Sequence, residues 1–274
     1  MEPVHPEFVP DASLDREAME ALQRDIADRA VFADDFAFDP AGVCRERDAG
    51  QQRLGDAAGE ASADRPVVVG VDQAFLDDDR AVSALVAMRG GEVVERVHAV
   101  APTEIPYIPG LLSFREGGAI LAGFQELSVD PDLAVFDGSG RIHFREAGLA
   151  THVGVMFDVP AIGVAKSLLC GQPRESLDRK LPEGTRVAIE ADAEIESAGS
   201  ETPRGDGDAV VGYAVQSRQY DSSNRHVNPL FVSPGHRVGA ETAAELVLAT
   251  AAGYKLPEPT RLADAYADSV KGTL

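Results

Sequence analysis

VVVGVDQAF (67–75), AVSALVAM (81–88) and EVVERVHAV (92–100) are three apolar, β-branched runs separated by short polar turns, and their reading decides the fold. Residues of this kind suit a pleated, half-buried surface, and Gly90-Gly91 between the second and third runs supplies a tight turn. The three runs therefore read as antiparallel strands. Working outward, 110–127 reads as a helix behind an N-terminal loop. LAVFD (133–137) is a short buried strand ending in DGSG, 149–157 a helix and 161–165 another strand. Residues 186–190 and 209–216 read as a later hairpin, and 240–252 as a helix ahead of KLPEPTRLADAYA. Upstream, 13–31 places Met19, Leu22, Ile26 and Ala30 on one helical face, with Ser13 or Asp11 as its cap. Three antiparallel strands followed by alternating helix and strand define an α/β domain with a mixed sheet. Residues 1–65 read as a helical N-terminal extension and surface connection, and 66–274 as the main unit of what is one domain overall. An acidic loop with Gly and Ser occupies 191–208.

Composition narrows the function classes. No apolar run is long enough to span a bilayer, and Met1–Pro10 lacks the basic and apolar regions of a signal peptide. Cys44 and Cys170 lie far apart and match neither a disulfide scaffold nor a zinc site, which fits a reducing cytoplasm. No heptad or broad apolar stripe stands out, so a monomer is expected. Asp and Glu number 46 against 25 Lys and Arg, a net charge of −21. Such acidity ordinarily argues against a nucleic-acid partner, since phosphates repel it. The four lysines (Lys166, Lys180, Lys255 and Lys271), the abundance of Asp, Ala, Gly and Val, and the absence of tryptophan instead fit a halophile's protein. At molar salt the Debye length is only about 3 Å, and net charge then says little about partners.

The residues suited to chemistry begin with acids at strand ends. Asp72 interrupts an apolar strand and Asp137 ends another. An ionised carboxylate there is costly unless paired or bound to a cation, although a single such acid also serves as a turn cap. Glu116, in YIPGLLSFREGG, is by itself an ordinary helix-surface residue; with the two aspartates it completes a carboxylate cluster of the kind that holds Mg²⁺. Two such ions about 4 Å apart stabilise the attacking and leaving oxygens of phosphodiester hydrolysis. Lys166, ending AIGVAK, is placed either to contact a phosphate or to snorkel to solvent. His143 is either a site residue or a surface residue. His236, in SPGHRVG at an expected helix start, is either a site residue or a cap neighbour. Gly110, Gly138, Gly140, Gly163 and Gly235 flank these candidates and permit close approach of a ligand, yet they spell neither GxGxxG nor a P-loop.

PYIPGLLSFRE (106–116), DGSGRIHFREAGLATHVGVMFDVPAIGVAKSLL (137–169), NPLFVSPGHRVGAETA (228–243) and GYKLPEPTRLADA (253–265) together resemble endonuclease V, and VVGVDQAF (68–75) resembles its first metal-binding strand. The similarity runs from about Pro66 to Ala267. It implies a ribonuclease H-like fold and a Mg²⁺-dependent DNA-repair nuclease, with Mn²⁺ as a substitute. Such an enzyme cuts the second phosphodiester bond 3′ to a deaminated base, chiefly inosine, leaving 3′-hydroxyl and 5′-phosphate ends. Carried over by motif, Asp72, Glu116 and Asp137 hold the metal and His236 completes the site, with Glu241 as a fallback. His143 orients water or metal, and Lys166 faces the scissile phosphate. Pro106, Tyr107, Ile108 and Pro109 form a wedge, with Tyr107 stacking where the base has left the helix. Gly110, Leu112, Gly138, Gly140, Leu149 and Gly163 line the base pocket. The N-terminal 65 residues and the 191–208 loop depart from the family pattern and are expected on the surface, away from the metals. Inosine-containing RNA is an alternative substrate, and a non-catalytic module binding inosine strands is the rival of another class.

Overall fold

Val67, Val69 and Val71 point to one side of the first strand, and Val68, Gly70 and Asp72 to the other, because strand side chains alternate. That parity organises the protein. The computed structural model describes residues 1–43, 65–77, 79–196, 210–222 and 226–273. Its sheet has nine strands in the order β3-β2-β1-β4-β5-β9-β8-β7-β6. β1 (Val67–Asp77), β2 (Arg80–Arg89) and β3 (Glu92–Pro102) form the expected antiparallel meander. β4 (Leu133–Asp137) and β5 (Ala161–Ala165) then run parallel to β1 in the centre. β9 (Leu230–His236) returns antiparallel beside β5, and β8 (Val210–Val215), β7 (Arg186–Glu190) and β6 (Gln172–Pro173) extend that edge. The mixed α/β sheet expected from the sequence is therefore present.

Helices cover both faces. Val67, Val69, Val71, Leu85, Phe136, Phe124 and Phe157 form one core with α2 (Leu112–Glu126) and α3 (Leu149–Phe157). Val68, Val135, Ile162, Val164 and Val232 form the other, with Ala243 and Val247 of α4 (Ala240–Thr250). α5 (Glu258–Lys271) lies across β1 and β2 on this second side. Two elements differ from the expectation. His236 ends a buried strand rather than opening a helix, because SPGH runs alongside β5 with a bulge between Ala161 and Ile162 absorbing Pro234-Gly235. KLPEPTRLADAYA, left without an element in the sequence, contributes α5, with a proline inside its first turn as helix starts favour.

The N-terminal segment is part of the core. α1 (Arg16–Arg29) is capped by Asp15, whose carboxylate accepts the Ala18 N–H at 2.9 Å; Asp11, an expected cap, instead accepts from Ser13. Phe8, Ile26 and Ala27 sit in the first core, and the Met1 amine donates to the Phe124 carbonyl at 2.7 Å. Cys170 is free and buried; Cys44, most of the surface connection and 197–208 of the acidic loop lie outside the described residues. Among the described residues, no helix is long and apolar enough to cross a membrane.

Candidate active site

Parity places the acids. Asp72 follows Val68 and Gly70, Asp137 follows Leu133 and Val135, and Lys166 follows Ile162 and Val164, so all three face the α5 side. Val71 pairs with Phe136 in the parallel β1–β4 ladder, which puts Asp72, midway along β1, beside Asp137 at the carboxyl end of β4. α5 reaches them because residue 70 is glycine: a Cβ there would lie 2.0 Å from the Pro259 carbonyl oxygen. That close approach brings Asp264 in. Ligand oxygens of Asp72, Asp137 and Asp264 lie within 4.8 Å of one another.

Glu116 is not the third member of this cluster. It sits on α2, the helix of the opposite face, is 4% exposed, and feels the charges of Asp72 and Asp137 from there. Burial, then neighbouring Asp137, pushes the Asp72 carboxyl up to about 7; burial pushes Glu116 up to about 8 despite Arg115 beside it. Crowded, poorly solvated carboxylates resist ionising together, and a hard divalent cation relieves that conflict. The all-oxygen donor set fits Mg²⁺ or Mn²⁺. Lys166 neutralises part of the charge, its Nζ donating to Asp137 Oδ2 at 2.7 Å.

Across the same strand end, on the α2 and α3 side, lies a cavity of about 350 Å³. Tyr107, Gly110, Leu112, His143 and Leu149 line it, and Asp137, Gly138 and Lys166 join it to the acid cluster. Tyr107 is 64% exposed at its mouth. Pro106 and Pro109 are exposed beside it, whereas Ile108 packs with Met19, Leu111 and Phe114 and anchors the loop. Gly140 and Gly163 do not line the cavity. They pack backbone on backbone beneath it, a Cβ on Gly163 falling 2.3 Å from the Gly140 nitrogen.

Two expected roles move. His236 sits opposite Ala161, at the far end of β5 from Lys166, roughly 16 Å along the strands. Its Nδ1 accepts the Val31 N–H at 3.2 Å and its Nε2 meets Asp158 at 3.1 Å, so it ties the N-terminal segment to the sheet. Glu241 is exposed in the first turn of α4, outside the cluster. His143 is buried, and its two ring nitrogens are engaged by the Arg145 N–H at 3.2 Å and the Gly110 carbonyl at 3.0 Å. Burial pulls it down to about 4, so the ring is neutral and shapes the cavity. Asp264 was missed because no strand end or apolar run announces a helical aspartate; only its place in the GYKLPEPTRLADA motif marked it. Gln23 of α1 was missed too, and it lines the cavity, against the expectation that the N-terminal segment stays clear of the site.

A cation-ready carboxylate cluster with a lysine, gathered around the carboxyl end of β4 and opening onto a cavity, defines a nuclease-type site. Comparison with known proteins agrees. The Endonuclease V family model matches residues 52–265. An endonuclease V of Haloarcula marismortui is 61% identical over 99% of this chain and 98% of its own length. The crystal structure of an endonuclease V from Streptomyces avermitilis superposes with a TM-score of 0.71 at 29% identity, covering 98% of this chain and 97% of that one. A Ciona intestinalis endonuclease V, solved with a 24mer DNA containing an inosine followed by a ribo-adenosine, superposes with a TM-score of 0.67 at 21% identity, over 94% and 99% of the two chains, and supports the fold. The chain belongs to the Endonuclease V family and is a nuclease, and the haloarchaeal relative accords with the halophile reading of its charge.

Proposed function

We propose that this chain is a divalent-metal endonuclease of DNA repair that cuts the second phosphodiester bond 3′ to a deaminated base, chiefly inosine in DNA, leaving 3′-hydroxyl and 5′-phosphate ends. One observation carries the reading: the acid cluster and the cavity share the Asp137–Gly138 strand end, so a base held in one leaves the strand just 3′ of it at the other. Asp72, Asp137 and Asp264 would hold Mg²⁺, with Mn²⁺ as substitute. The bound ion supplies charge stabilisation for the attacking and leaving oxygens. Lys166 exchanges its contact with Asp137 for the scissile phosphate. Glu116, behind the cluster, tunes its charge without direct ligation. Tyr107 stacks on the strand where the base has left, a contact worth about 1–3 kcal/mol. Gly110, Leu112, Gly138 and Leu149 surround the extruded base, whose removal from the helix costs a few kcal/mol and is easiest for a weak pair. The reaction is assigned to the cytoplasm and to a monomer.

The test is nicking of a duplex with one inosine, in about molar KCl with Mg²⁺, by wild type, Asp72→Ala and Asp264→Ala. Cutting at the second bond 3′ to inosine, lost in both variants, is expected. A well-folded wild type that binds the strand and never nicks DNA or RNA would move the assignment to a binding module. A parallel RNA strand sets the substrate preference.

A further inference from the structure

α1 buries Met19, Gln23, Ile26 and Ala27 along one stripe, and Gln23 is its polar member, 1% exposed and lining the cavity. A buried amide is costly unless bonded, and this one is bonded at both ends. Its Nε2 donates to the Gly110 carbonyl at 2.7 Å and makes a long 3.5 Å contact to the Ala147 carbonyl on the opposite wall. Its Oε1 accepts from Arg145 Nη1 at 3.2 Å, and Arg145 Nη2 is held in turn by Glu20 at 2.8 Å. With carbonyls on one end and a guanidinium on the other, the amide has a single orientation. His143 is fixed likewise: its Nδ1 accepts the Arg145 N–H, so the proton of the neutral ring sits on Nε2 and goes to the same Gly110 carbonyl at 3.0 Å.

A carbonyl oxygen has two lone pairs, and two donors saturate this one. Gly110, at φ +82°, holds it in that clamp. The consequence lies in base chemistry. Adenine carries an exocyclic amino group that needs acceptors, whereas its deaminated form carries a carbonyl in that place. We propose that Gln23 is a positioning residue that sets base selectivity: by occupying the Gly110 carbonyl it removes an acceptor from the cavity wall and leaves adenine's amino group unpaired. The inference rests on the cavity being the base pocket. The N-terminal helix is then a component of the specificity device.

The experiment measures equilibrium binding by fluorescence anisotropy. The probe is a short fluorescein-labelled single strand with one inosine, against the same strand with adenine there, in EDTA and about molar KCl. Gln23→Met keeps the volume and removes both hydrogen bonds, while Gln23→Glu keeps the acceptor for Arg145 and removes the donor. Thermal midpoints establish that each variant is folded, so either can stand alone. The expected result is an inosine preference in wild type that falls about fivefold in the variants, chiefly through tighter binding of the adenine strand. A preference retained in a folded variant, or weakening of both strands alike, overturns the proposal and reduces Gln23 to a structural residue. No preference in wild type overturns the base-pocket reading itself, and the selectivity role with it.

Discussion

Asp264 sits with the aspartates in the place that the family resemblance gave to His236, and this is testable one side chain at a time. Asp264→Ala is expected to lower Mg²⁺-dependent nicking at least 100-fold, as Asp72→Ala does. His236→Ala is expected to keep activity within a few-fold and to lower stability by about 1–2 kcal/mol, since its partners are the Val31 amide and Asp158. Paired kinetics and denaturant melts decide it; a His236→Ala variant as dead as Asp264→Ala, with an unchanged melt, would restore the histidine to the metal site. Titration offers a second check. Asp72 and Glu116, pushed up to about 7 and 8, favour their neutral forms in the fold, so their contribution to stability is complete at acid pH and lost as pH rises through those values. His143 and His152, pulled down to about 4, contribute stability above their ordinary value of 6.5 that is lost as pH falls through 4. The two trends oppose each other between 4.5 and 6.5, and above that only the acids act, at roughly 1.4 kcal/mol per pH unit for each group. Melts in EDTA should therefore fall between pH 6.5 and 8. Saturating Mg²⁺, which holds the carboxylates ionised, should remove that fall. Identical profiles in EDTA and Mg²⁺ would count against a cation at this cluster.

At the scale of elements, the decisive contact is α5 on β1. Helix backbone rests on Gly70, and the helix carries Asp264 to the strand that carries Asp72. Gly70→Val has no room for its side chain, since even a Cβ meets the Pro259 carbonyl oxygen at 2.0 Å. Lifting α5 should cost about 3 kcal/mol and lose nicking together with stability. The companion Gly253→Ala, where a Cβ meets nothing within 4 Å, carries only the strain of φ +85° in an exposed turn and should leave more activity. Equal damage from both substitutions would sink the claim that α5 placement builds the site. The strands themselves were legible early: the runs at 67–75, 81–88 and 92–100 are the meander that forms, because β-branched apolar runs broken by short turns favour strands through local composition. β9 was not legible, since proline and glycine inside SPGH mark a turn by local rules while a bulge against β5 accommodates them.

For the whole molecule, 46 acidic residues against 25 basic ones give −21, and mutual repulsion at low salt works against the folded state. The thermal midpoint is expected to rise steeply from about 0.1 M to molar KCl as screening shortens to about 3 Å. Nicking should persist in the same range, because stacking and cavity contacts depend less on salt than phosphate attraction does. A fold intact at molar KCl with activity abolished would show that long-range phosphate attraction is required after all.

By itself the sequence determined the apolar, β-branched runs that make the central strands, and with them Asp72, Asp137 and Lys166 as candidates within or at the ends of such runs. It also determined the acidic surface and, through extended motifs, the family. These are properties of neighbouring residues, where side-chain alternation and turn chemistry act within a few positions. Only the tertiary structure decided that Asp264 rather than Glu116 joins the aspartates, that His236 lies at the opposite end of the sheet, and that Gln23 of the first helix reaches the cavity. Each of those depends on which face a helix packs against, and packing is settled by long-range fit, such as the gap at Gly70, that spacing along the chain does not contain.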